Sequence, residues 1–255
     1  MSDVPILEHD PAPVAVIEPT AWFAPVEISP HAVITWMPDV VDSVLAEHEA
    51  IERGRLAAES AVHPVWEIEF HGRPLVVVLA GVGAPVATLL FEMMIALGCH
   101  RFVACGAAGG LVADVPRGTV VVPEASVRDE GVSYHYAPPA RLARHDADLQ
   151  TLVEARCRQD GFEVSTGRTW TTDGLFRETA QQVAARVDEG CVAVEMEAAA
   201  LATVARFRGV RLGYAVYVAD TLHADEWDPE GLVQPDQAFR RRLFDAAARA
   251  CLDSG

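Results

Sequence analysis

The sequence predicts an α/β protein built around one sheet. Apolar strand-like runs alternate with helical stretches, glycine turns sit at the ends of several runs, and no internal repeat or low-complexity linker divides the chain. At 255 residues the length suits one large domain of this kind. Hydrophobic residues make up 51% and charged ones 22%, which leaves ample core material. Lys and Arg total 20 against 37 Asp and Glu, a formal charge of −17, which argues against a nucleic-acid partner. No apolar run reaches the roughly 18 residues of a membrane span. The opening "MSDVPILEHDPAP" lacks the basic-then-apolar order of a signal sequence. Five scattered cysteines without a CxxC pair read as reduced thiols of a cytoplasmic protein.

Residues 1–30 are proline-rich and irregular, which predicts an arm across the body or a neighbouring subunit, with 31–255 as the domain proper. "HAVITW" predicts the first strand and "PDVVDSVLAEHEAI", 38–51, a helix behind it. "VWEIEF" alternates, meets the turn "HGRP" and returns as "LVVVLAG", so a hairpin is expected. The unbroken apolar run 75–80 suits a strand covered on both faces. It passes through "GVGAP" into the helix "VATLLFEMMIALG", with Gly98 as the stop. "RFVACGAAGGL" reads as a strand running into a glycine-rich turn, and "GTVVVPEASV" as the strand after the turn at 116–118. A helix near 148–160, the segment "VSTGRTWTTDG", a strand ending at 192–194, a helix over 198–207, the strand "LGYAVYVAD" and a last helix from about Pro235 to Cys251 complete the order.

Ligands of such sheets sit at the carboxyl ends of strands, and several of these ends carry chemistry. "VAVEMEAAALATVARF" sets Glu195 and Glu197 around Met196 where a strand becomes a helix. Burying an unpaired charge is expensive. The pair is therefore either acidic dressing of a helix N-terminus or a carboxylate aimed at a ligand's hydroxyls. Gly81 and Gly83 form a structural turn or a close backbone approach to a ligand, in a stretch too short for a dinucleotide fingerprint. Gly106, Gly109 and Gly110 make a second such loop, which without Lys, Ser or Thr is no P-loop. "TTDG", 171–174, clusters hydroxyls and an acid beside Phe176, as a ligand contact or as an Asx-type turn and helix start. Asp220 ends an apolar strand; desolvation there raises a carboxyl pKa and equips it to donate a proton, the alternative being a helix cap. His135 and His223 are lone histidines, read as structural or exposed. No His/Cys/Asp spacing suits a metal and no GxSxG elbow exists, so neither metal, cofactor nor serine-hydrolase chemistry is expected.

Taken together, these stretches resemble the nucleoside phosphorylase and nucleosidase superfamily, in particular its uridine-phosphorylase-like branch. The matches are "GVGAP" at 81–85, "LGCHRFVACGAAGGL" at 97–111, "RGTVVVPEASVRDEGVSYHY" at 117–136, "TWTTDGLFRET" at 169–179, "VAVEMEAAAL" at 192–201 and "VADTL" at 218–222. The resemblance implies a single-domain, three-layer α/β/α sandwich with a twisted mixed central sheet. It also implies a small-molecule nucleoside as substrate and a homo-oligomer built from dimers, up to a hexamer. Glu197 would bind ribose hydroxyls and Met196 would pack on the sugar, with Glu195 in the same element. Gly81, Gly83 and Gly106 would border the substrate, and Thr172 and Phe176 the base. Asp220 would protonate or hydrogen-bond a purine at N7. Glycosidic cleavage passes through an oxocarbenium-like sugar and needs the leaving base neutralised; a held sugar and a proton donor supply both. Uridine-cleaving members read uracil with a glutamine and an arginine after the TTD-like segment. Here Arg177 comes too early and Gln181 and Gln182 look helical, so a purine is expected.

The second substrate is where the chain departs from its family. Phosphorolytic members hold phosphate with a GDPxR loop, and "WMPDV" puts Trp36 for the glycine and Val40 for the arginine. Their Arg–x–Gly–Thr element reads Ala104–Cys105–Gly106–Ala107. An arginine lent by a neighbouring subunit falls near Ala61, with Arg53 or Arg55 serving only after a shift. A phosphate wants charge-assisted donors, so Trp36, Val40, Ala104 and Ala107 are expected to form an apolar wall without a cation. The reading is therefore a nucleosidase, with water in place of phosphate. One alternative is a phosphorylase, purine or uridine type, that uses Arg128 or Arg177. Another is a non-catalytic nucleoside-binding protein, against which the retention of Glu197 and Asp220 argues.

Overall fold

The computed structural model describes residues 3–58, 61–223, 226–233 and 236–254. Among its described residues the arm carries a 3₁₀ turn, Pro5–Leu7, and a short helix, α1 (Pro19–Trp22), before β1 (His31–Thr35) opens the sheet. Helix α2 (Pro38–Glu47) starts on a proline, whose fixed φ suits a first turn, and buries Val40, Val41 and Val44. It stops short of the expected 51. Ile51 instead opens β2 (Ile51–Ala57), a strand the sequence reading does not assign, paired antiparallel with β3 (Val62–Phe70), because a partner strand decides what local propensity leaves ambiguous. Strand β3 returns as β4 (Arg73–Leu79) through His71 and Gly72, both at positive φ as a tight hairpin of this hand requires. Helix α3 (Ala84–Leu97) follows and ends at Gly98.

Strand β5 (Arg101–Gly110) runs straight through the glycines that the sequence suggests are a turn. The reason is crowding: β5 pairs with β1, with β10 (Arg211–His223) and, at Gly109 and Gly110, with β9 (Cys191–Glu195). A Cβ on Gly109 would stand 2.7 Å from Leu222 and 3.0 Å from Val194, so only glycine fits where these strands converge. The other elements are β6 (Val120–Asp129), α4 (Ser133–Tyr136), β7 (Leu142–Arg144), α5 (Ala147–Gln159), β8 (Val164–Thr172), α6 (Ala180–Asp188), α7 (Ala198–Arg208), β11 (Glu226–Asp228), α8 (Glu230–Val233) and α9 (Gln237–Asp253). Pro235, the expected start of the last helix, and the side chain of His223 lie outside the described residues.

The sheet is mixed, and β10, β6, β8, β9 and β5 close into a ring because β5 pairs back with β10. Leu90, Phe91 and Met94 of α3 and Leu201 and Val204 of α7 fill one face. Val40 of α2, Leu149 and Val153 of α5 and Phe244 of α9 fill the other. The result is the three-layer α/β/α sandwich.

Candidate active site

Two acids two residues apart meet different fates at the β9–α7 junction. Glu195 Oε1 accepts from Thr171 Oγ1 at 2.5 Å, and Oε2 from the backbone N–H groups of Glu197 (2.7 Å) and Ala198 (2.6 Å) and from the Tyr214 hydroxyl (3.2 Å). It thus satisfies the start of α7, while the Thr171 hydroxyl takes Ala199 N at 3.0 Å. Burial still pushes the Glu195 carboxyl upward against these donors. Glu197 accepts from Gly83 N at 2.6 Å, a contact that rests on φ +99° at Gly83. Burial, then the charge of Glu195, raise its carboxyl to about 8. The helix-start reading fits Glu195; Glu197 spends fewer hydrogen bonds on the fold.

Both acids line a cavity of ≈ 300 Å³ at the strand ends, together with Met196 and Asp220. Strand β10 carries a bulge between Val218 and Asp220, which re-aims the acid at its end. Trp227 Nε1 donates to Asp220 Oδ2 at 2.8 Å. Burial raises the Asp220 carboxyl, and this bond partly offsets the rise. A larger cavity, ≈ 710 Å³, lies between the arm and helices α3, α4 and α7. Of its acids, Glu18 and Glu92 are already paired with Arg208 and Asp10 caps the turn at Ala12 N, so it offers no comparable chemistry.

The remaining expected residues divide. Gly81 gives its carbonyl to Trp36 Nε1 at 2.9 Å, and Gly106 lies under the same indole, where a Cβ would approach Trp36 to 3.0 Å. Both shape the wall from behind. Thr172 is buried and takes Gly174 N at 3.1 Å, a turn contact outside the cavity. Phe176 is 95% exposed and points away. It lies in the 3₁₀ turn Leu175–Arg177, where neighbouring side chains diverge by about a third of a turn, and Leu175 takes the inward position instead.

The wall around the expected phosphate place also needs correction. Trp36 and Ala107 line the cavity, but Val40 and Ala104 are fully buried on opposite faces of the sheet. The wall is not without a cation, because Arg240 of α9 reaches it. Arg240 is 8% exposed, pairs with Asp39 at 2.8 Å and leaves its Nε without a partner. The helical spacing of Arg240, Leu243, Phe244 and Ala247 is the signal that would have placed this arginine on the buried face. Arg128 is spent on Ser133, Ala137 and Pro138, Arg53 on Glu67 and Arg55 on Glu52, and Arg177 does not line the cavity. Leu175, Glu178, Tyr214 and Tyr217 also line it, unforeseen.

Fold and cavity together define an α/β protein with a cleft at strand ends, where ligands of such sheets bind, floored by buried acids. The family model described as phosphorylase superfamily matches residues 30–253, and the chain belongs to that family. It is 28% identical over 182 residues to a guanosine phosphorylase of Halorubrum lacusprofundi, covering 71% of this chain and 74% of the relative. It is 26% identical over 196 residues to a uridine phosphorylase of Escherichia coli, covering 71% and 76%. The solved structure of a purine nucleoside phosphorylase from Toxoplasma gondii, in complex with immucillin-H, superposes with a TM-score of 0.72 at 17% identity, over 88% of this chain and 91% of that one. That likeness speaks for the fold.

Proposed function

We propose that this protein cleaves the N-glycosidic bond of purine nucleosides with phosphate as the acceptor. The observation that carries the reading is one cavity lined by Glu197 and Asp220, both carboxyls raised by burial. Glu197 accepts hydrogen bonds from the ribose hydroxyls while Met196 packs on the sugar. As the bond from C1′ to N9 breaks, its electron pair leaves with the base. Asp220 delivers a proton to N7, the purine departs neutral, and a phosphate oxygen attacks C1′. Uracil is disfavoured because no glutamine lines the cavity among the described residues.

Phosphorolysis takes precedence over the hydrolysis that the sequence departures suggested, on two grounds. The relatives are phosphorylases by name, and Arg240 supplies a cation to the cavity. Hydrolysis remains the second reading because Trp36 and Ala107 stand where relatives carry phosphate ligands. The protein works in the cytoplasm, where its five cysteines stay free, all of them buried. Among the described residues no helix is long and apolar enough to cross a membrane. Residues 1–30 act as an arm in a homo-oligomer.

The test is a nucleoside panel with and without phosphate, read by product. Purine cleavage that depends on phosphate and yields ribose 1-phosphate is expected. Free ribose at the same rate without phosphate hands the site to water, and no cleavage of any nucleoside makes the protein a binder.

A further inference from the structure

We propose that Glu178 is the residue by which this protein distinguishes purines, through the substituent on carbon 6 of the base. The inference rests on the purine reading above and adds to it a residue that sequence comparison with uracil readers leaves unassigned. Glu178 follows the 3₁₀ turn whose Leu175 enters the cavity, and it lines the same cavity as Asp220. It also borders an adjoining hollow of ≈ 480 Å³ beneath α6 and β11. Among the described residues its carboxylate accepts no hydrogen bond and meets no cation. A half-buried acid with no partner, in a cleft, is a group kept for a ligand.

The purine itself fixes what a second acid beside Asp220 meets. With Asp220 on N7, the next atom along that edge is the group on carbon 6: an amino donor in adenine, an oxo acceptor in guanine and hypoxanthine. An ionised Glu178 accepts from the amino group and repels the oxo group; a protonated Glu178 donates to the oxo group. Burial, then the charge of Asp220, bring the Glu178 carboxyl to about 7, so both forms exist at working pH. The charged groups around the two hollows it borders are Asp220 on β10, Glu195 and Glu197 at the β9–α7 junction, Glu226 on β11, Asp188 on α6 and Arg240 on α9, with Arg177 on its own turn; Glu197, which serves the sugar common to both substrates, cancels from their ratio. Asp220 serves N7 of every purine alike, so its own titration cancels from a ratio of two purine substrates.

The experiment measures kcat/KM of the full-length protein for adenosine and inosine between pH 6 and pH 8.5, for the wild type, Glu178→Gln and Glu178→Ala. The adenosine-to-inosine ratio of the wild type rises roughly tenfold as pH climbs, the scale set by leaving one partly buried polar group unsatisfied, and in both variants it is flat. A ratio that is flat in the wild type, or that still climbs in both variants, overturns the inference while leaving purine cleavage in place. Cleavage of uridine alone, with both purine nucleosides untouched, overturns the purine reading itself and the inference with it. The neutral, isosteric Glu178→Gln removes a charge without a cavity, and an unchanged melting temperature separates specificity from folding.

Discussion

Glu195 and Glu197 share a strand end, yet one is saturated by two hydroxyls and two helix-start amides, while the other, among the described residues, meets only the backbone amides of Gly83 and Met196. Local sequence shows that two acids stand there; it does not show which is spent on the fold, because the Thr171 and Tyr214 hydroxyls come from distant strands. The same limit explains Phe176: the motif places the turn, but its winding selects Leu175 to face inward. For Asp220, replacement by Asn is expected to slow turnover on purine nucleosides by roughly 10²–10⁴-fold, the usual contribution of a proton donor. Initial rates check this, and near-normal turnover would make Asp220 a structural partner of Trp227. For Glu197 the sign of the pH effect follows from its raised pKa of about 8, against the usual 4.5. Between those values the native state holds a proton that the unfolded chain has lost, so this group lowers stability as pH rises through the window. Glu197→Gln should therefore be more stable than the wild type at pH 9, by on the order of a few kcal/mol, and melt at a higher temperature. The gap closes toward pH 5, and cleavage falls at every pH. Melting curves at the two pH values decide it.

At the scale of elements, the alternation of strands and helices was legible, since long apolar runs leave few other choices. Two features were not. Strand β2 goes unread, with its first residue Ile51 counted as the tail of a helix, because its pairing with β3 is invisible locally. The glycines of β5 read as a turn because nothing local announces that two strands close in on them. The bulge before Asp220 is likewise a product of strand pairing. What holds the β9–α7 junction is Thr171, whose hydroxyl bonds Glu195 and receives Ala199 N. Thr171→Val keeps the shape and removes both bonds. It should destabilise the fold by about 1–3 kcal/mol, the cost of leaving buried polar groups unpaired. Because Glu195 also holds Glu197 N, the nucleoside KM should rise. Urea unfolding and steady-state kinetics measure the two effects, and an unchanged KM would uncouple the junction from the site.

At the scale of the molecule, the arm leaves apolar surface that one copy of the chain does not cover. Val14, Val16, Ile17 and Trp22 are 69%, 105%, 67% and 66% exposed, and Leu89 on α3 beside them is 52% exposed. These residues stand around the ≈ 710 Å³ cavity between arm and body, apart from Val16, which projects outward. Exposed apolar surface rimmed by polar residues is what association faces present. A second copy of the chain covers such a patch most simply across a two-fold axis, which brings the same surface of both copies together. The formal charge of −17 opposes that association at long range, and salt screens it. The protein should therefore sediment as a dimer or a multiple of one, more fully at about 0.5 M salt, where the Debye length shrinks to a few ångströms, than at low ionic strength. Replacing Val16 and Trp22 by Glu adds charge where burial is expected. It should shift the protein toward monomer at micromolar concentration while leaving the melting of the domain nearly unchanged, because neither side chain is buried within its own chain. Sedimentation velocity of the two proteins at both salt concentrations is the check. A wild type that is monomeric throughout, and as active as the double variant, would show that the arm serves its own chain alone.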